Sequence, residues 1–119
     1  MNRFRSLSIL LFILLIVGHA AGSLARVDHL ILDGRMDLAE EELRPLLADK
    51  YASAGEVVWC QEEPKNQGAW YATNHHIAEC MAADQRLRYA GRPAAASPAV
   101  GSPKLHHEQQ RALVEAALG

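Results

Sequence analysis

The sequence predicts an α/β fold: a small parallel sheet with crossover helices. Three observations carry that expectation. The run Glu56 to Gln61 has a continuous apolar centre, as a strand buried on both faces has. Short strand-like runs alternate with longer stretches of helical period, in the order strand-helix, strand-helix, strand-helix. The chain has 119 residues, 50% hydrophobic and 22% charged, which suits one domain around one modest core.

Taken in order, Arg3 and Arg5 precede an apolar run from Leu7 to Val17, followed by small residues from Ala20 to Ala25. A basic start, a short apolar run and a small-x-small site at Ser23-Leu24-Ala25 make the pattern of a secretory signal. The run is shorter than a membrane span of about 20 residues. Signal or anchor, a core element of the domain, and an aberrant start all stay open. Residues 1–25 are therefore expected to form an apolar leader and residues 26–119 the domain.

Arg26 to Leu32 alternates loosely and suits a first strand ended by Asp33-Gly34. Asp37 followed by Glu40 resembles a capping box, and Leu38, Leu43, Leu46 and Leu47 give a helical stripe. Pro45 interrupts it, so that helix either kinks there or starts late. The second strand runs to Gln61, and Pro64 stops it. A helix is expected over Gln67 to Met81, with Trp70, Thr73, Ile77 and Met81 on one face. Leu87 to Gly91 is the third strand. Arg92 to Pro103 is extended, and Ser102 caps a last helix with Pro103 at its first position. Leu105, Gln109, Ala112, Leu113 and Ala116 would share its packed face.

The net charge of −2 and the isoelectric point near 6.3 give no basic face for nucleic acid. Two cysteines are too few for a disulfide scaffold or a four-cysteine zinc site. A Cys60–Cys80 bond would need an oxidising compartment and a helix packed over its strand. In an open parallel sheet, ligands and partners meet the loops at the carboxyl ends of the strands. Those loops are Asp33-Gly34, Glu62 to Gln67, and Arg92 to Pro98. Arg92 would face Glu62, Glu63 or an incoming carboxylate, and the amides near Gln67 and Gly68 would favour an anion. The plainer alternative is a solvated ion-pair cluster.

Other chemistry is thinly supported. Cys60 lies within an apolar strand, where a thiol is inert. His75, His76, Glu79 and Cys80 have metal-ligand spacing, with His106 and His107 as further donors, but surface histidines explain the pairs more simply. Glu62 and Glu63 are neighbours that point to opposite strand faces, which disfavours a carboxylate dyad. No set supplies nucleophile, base and oxyanion donors together, so no catalytic, cofactor-binding or metal residue is assigned.

Two long strings then matter: Val57-Val58-Trp59-Cys60-Gln61-Glu62-Glu63-Pro64-Lys65-Asn66-Gln67-Gly68-Ala69-Trp70-Tyr71 and Leu87-Arg88-Tyr89-Ala90-Gly91-Arg92-Pro93-Ala94-Ala95-Ala96-Ser97-Pro98-Ala99-Val100-Gly101. With Leu105-His106 and Gln109-Gln110, they resemble the C-terminal domain of the decarboxylating, thiamine-dependent component of the 2-oxoglutarate dehydrogenase complex. The resemblance runs from about Arg26 to Leu118. It implies a transketolase C-terminal-like fold, truncated here at its N-terminal side, and a cytoplasmic location. In such enzymes thiamine diphosphate and magnesium lie between earlier domains, across a homodimer interface. The family's Gly-Asp-Gly cofactor segment and catalytic histidines are not in this sequence. The resemblance thus implies a fragment with a structural, dimer-interface role, partnered by the remaining domains and not catalytic alone. Glu62, Glu63, Asn66, Gln67, Arg92 and Ser97 would form its interface or active-site edge. The alternative is an exported or membrane-anchored binding module that reuses the fold.

Overall fold

The computed structural model describes residues 7–13, 22–97 and 100–119. Its sheet has three parallel strands, β1 (Leu7–Ile13), β2 (Ala54–Pro64) and β3 (Arg86–Arg92), in the order β1-β2-β3. Four helices join them: α1 (Gly22–Leu32), α2 (Met36–Pro45), α3 (Trp70–Cys80) and α4 (Pro103–Leu118). The α/β class and the parallel pairing agree with the sequence reading.

The first strand does not. Arg26 to Leu32, expected as a strand, is the body of helix α1. Leu24, Val27 and Ile31 recur at spacings of three and four and are buried, and this helical period overrides the loose alternation. Asp33-Gly34 ends a helix: Gly34 has φ +71°, its N–H donates to the Ile31 carbonyl, and the Arg35 N–H donates to the Leu30 carbonyl. That pair of bonds is a Schellman stop, which glycine reaches without a Cβ penalty. The loop therefore does not sit at a strand end. The strand position is taken by Leu7–Ile13, which pairs with Ala54 to Gln61 of β2. Most of the signal-like pattern, residues 1–6 and 14–21, lies outside the described residues.

Pro45 closes α2 and does not open a later helix. Having no N–H, it cannot bond the carbonyl four residues back, and its ring crowds that carbonyl. The chain answers with a single π-helical turn over Leu46–Lys50, in which the Tyr51 N–H reaches the Leu46 carbonyl at 2.8 Å. The residue before α2 is Arg35, with no side-chain cap, so Asp37 is a first-turn residue and not a cap.

β2 is the central strand, and Val57 to Gln61 are fully covered. Its alternate residues feed two cores. Val57 and Trp59 pack with Leu24, Val27, Leu43, Leu47 and Ile77 on the side of α1 to α3. Val58 and Cys60 pack with Ala90, Leu113 and Ala117 under α4. On α3, Thr73, Ile77 and Cys80 are buried, close to the expected face. On α4 the buried residues are Leu113 and Ala117, while Leu105, Ala112 and Ala116 are exposed, so the expected stripe was rotated. Ser102 caps α4 as expected, its Oγ accepting from the Leu105 N–H at 3.4 Å. Cys60 and Cys80 are free and belong to opposite faces of the sheet, which removes the disulfide reading.

Candidate functional site

The carboxyl ends of β2 and β3 lie side by side and form one polar edge. The ladder runs in register to Gln61↔Gly91 and then breaks, so that Pro64 pairs Arg92 and Glu62 and Glu63 bulge out. Beneath the bulge, Gln61 is fully buried and its amide is saturated. Its Oε1 accepts from Trp59 Nε1 at 2.8 Å, and its Nε2 donates to the carbonyls of Glu63 (3.2 Å) and Pro64 (3.1 Å). Gly68 lies directly over that amide: a Cβ there would come within 2.4 Å of Gln61 Nε2. Gly91 is similarly confined, by the Tyr89 hydroxyl and the Gln61 carbonyl. That hydroxyl donates to the Arg92 carbonyl at 2.8 Å, and burial pushes it up to about 12.

The loop after β2 is tied to the segment after β3. Asn66 exchanges two hydrogen bonds with the Ala95 backbone, each 3.0 Å, and Gln67 Nε2 donates to the Ala95 carbonyl at 2.8 Å. The Lys65 N–H donates to the Arg92 carbonyl, and the Lys65 ammonium stands over the rings of Tyr89 and Trp70. The backbone N–H groups of Gln67 and Gly68 both donate to the Pro64 carbonyl, so they are not offered to an anion; that expectation is corrected.

Arg92 is the charged residue of this edge that is buried, 5% exposed. Its guanidinium approaches Glu62 at 4.0 Å and donates to His106 Nδ1 at 2.9 Å. That bond places a ring proton of His106 on Nε2, which faces Glu62 at 3.6 Å. Of the two acidic neighbours, Glu62 joins the arginine, and Glu63 is exposed. The arrangement is not the solvated cluster that composition alone would suggest. Among the described residues, Arg92 Nε has no partner, nor does Gln109 Oε1, and both residues line a cavity of about 50 Å³ with Pro64, Ala95, Ser97 and Val100. Pro98 and Ala99, which continue this loop, lie outside the described residues. His106 and Gln109 are the members of the edge not among the six assigned from the sequence. The sequence named His106 only as a further metal donor and Gln109 only on the packed face of the last helix, which has no sequence adjacency to Arg92.

The full set of metal candidates read from the sequence is not assembled in one place. His76 pairs with Glu40 of α2, Cys80 is buried with its sulfur 3.8 Å from the Glu40 carbonyl, and His106 belongs to α4. Burial raises the thiols of Cys60 and Cys80 above their usual range, which suits inert core residues. Among the described residues, no helix is long and apolar enough to cross a membrane.

Fold and edge together define a small parallel α/β domain with a polar edge at its strand ends. The chain belongs to the 2-oxoglutarate dehydrogenase C-terminal family, whose model matches residues 36–118. Among curated relatives, the 2-oxoglutarate dehydrogenase E1 component of Cupriavidus necator is 62% identical over 68 residues, 57% of this chain and 7% of the relative. The E1 component of Haemophilus influenzae is 54% identical over 70 residues, covering 59% and 8%. That of Coxiella burnetii is 51% identical over 78 residues, covering 66% and 8%. The chain thus spans under a tenth of the length of these relatives.

Proposed function

We infer that this chain serves as a C-terminal docking and interface domain of a 2-oxoglutarate dehydrogenase E1 component, with a transketolase C-terminal-like fold. Residues 26–119 supply the domain, and the apolar stretch 1–25 lends its edge strand. The observation that carries this reading is the edge around Arg92. A buried guanidinium whose Nε is unpaired among the described residues, lining one cavity with a Gln109 whose carbonyl oxygen is likewise unpaired, is costly unless something arrives to satisfy them. A donor and an acceptor in one cavity suit a peptide group or a polar side chain from another domain. Glu62, Glu63, Asn66, Gln67 and Ser97 would frame that contact. Its partners would be the remaining domains of E1 and, through them, a homodimer in the cytoplasm.

The thiamine diphosphate and magnesium of the family do not fit this edge. A cavity of about 50 Å³ is far below the roughly 300–1,000 Å³ of cofactor sites. No step of decarboxylation is therefore assigned to these residues. Incubating the purified chain with 2-oxoglutarate, thiamine diphosphate and magnesium should give no carbon dioxide above background. Turnover by the chain alone would overturn the reading.

A further inference from the structure

On the far side of the domain, α2 and α3 pack so that Glu40, His76 and Glu79 converge. One ligand atom from each lies within 4.8 Å of the other two. Donors sharing one ion at about 2.0–2.2 Å stand no more than about 4.4 Å apart, so small rotamer changes suffice to close the set. His76 and Glu79 are one turn apart on α3, and Glu40 arrives from α2, which is why no sequence spacing marked the trio. His76 Nδ1 already contacts Glu40 Oε1.

A buried polar group lies next to two members of the trio. The Thr73 hydroxyl is fully buried and, among the described residues, has no hydrogen-bond partner. Thr73 precedes His76 by one turn and lines the same narrow cleft as Glu40 and His76, with Ile31, Met36 and Ile77 as its apolar wall. A buried hydroxyl left unpaired costs roughly 1–3 kcal/mol. The neighbouring charges are Arg44, 3.9 Å from Glu40 Oε2 and bonded to the Glu79 carbonyl, and His75, whose ring stacks 4.0 Å from His76. The Arg44 side chain is 56% exposed and its contact with Glu40 is long, so an ion can displace it from the carboxylate.

The geometry points to a site for a divalent first-row transition cation, held by Glu40, His76 and Glu79. One imidazole and two carboxylates with an open position suit zinc better than magnesium or calcium, which take oxygen donors throughout. The ion clamps α2 to α3 and takes no part in catalysis, and this inference does not depend on the docking role. Zinc titrated into the metal-free chain by calorimetry should bind one per chain, while magnesium at the same concentration gives no heat. Zinc in hundredfold excess over its dissociation constant should raise the melting temperature by at least about 5 °C. Glu79 is exposed, so Glu79→Gln should fold normally and bind zinc at least tenfold more weakly. Glu40→Gln should do the same, with circular dichroism confirming its fold. No binding by the parent chain would overturn the site. So would binding that survives both substitutions, or that is lost instead with His107→Ala.

Discussion

Asp28 shows how much one residue can matter in a core this small. It is 8% exposed on α1, its Oδ1 has no partner among the described residues, and burial lifts its carboxyl from 3.8 to about 7. Between those values the folded chain holds a proton that the unfolded chain has released. The stability this group contributes is therefore greatest below about pH 4, declines as pH rises towards 7, and levels off above it. The loss across that window is on the order of 4 kcal/mol. Asp28→Asn should flatten the dependence, leaving the variant more stable than the parent at pH 8 and close to it at about pH 3.5. Urea unfolding at the two pH values measures this. Gly68 makes the opposite case, because the Gln61 amide beneath it is held by three hydrogen bonds and cannot step aside. Gly68→Ala should cost about 1–3 kcal/mol by overpacking, read as a lower urea midpoint with an unchanged slope. Gln61→Leu should cost a similar amount, about 1–3 kcal/mol, by leaving Trp59 Nε1 buried and unpaired.

At the scale of elements, β2, α3, β3 and α4 were legible because each has a strong local signature. β2 is apolar at its centre, and α4 carries Ser102 and Pro103 at its start. That cap bond is long, at 3.4 Å, so Ser102→Ala should cost about 0.5 kcal/mol, the low end of capping effects, seen as a small fall in thermal midpoint. The misread element, α1, had conflicting signals: β-branched residues at Val27 and Ile31 and a turn-like Asp33-Gly34 both suggest a strand. A helical stop and a strand stop use the same two residue types, and only the carbonyls they satisfy tell them apart. The candidate edge was half legible. Strand-end logic found Glu62, Asn66, Gln67 and Arg92, since topology alone brings those loops together. His106 and Gln109 were missed because the rotation of α4 about its own axis is set by packing of Leu113 and Ala117, which periodicity places only to within a turn. Glu40 was missed for the same kind of reason, 36 residues from the histidine it meets.

For the whole molecule, the parallel sheet sends its polar residues to one end and leaves Arg92 buried there without a full set of partners. On the proposed reading, that surface completes itself against the rest of an E1 component, the family matched over residues 36–118. Asn66 and Gln67 are exposed and hold the rim in place through Ala95, so changing both to alanine tests the edge without opening the core. The deciding measurement is association of the purified 119-residue chain with an E1 component truncated of its C-terminal domain, by analytical ultracentrifugation. The account predicts a defined complex, weakened at least tenfold when Asn66 and Gln67 are both replaced by alanine. A folded chain that sediments alone at every concentration of the truncated enzyme would contradict it.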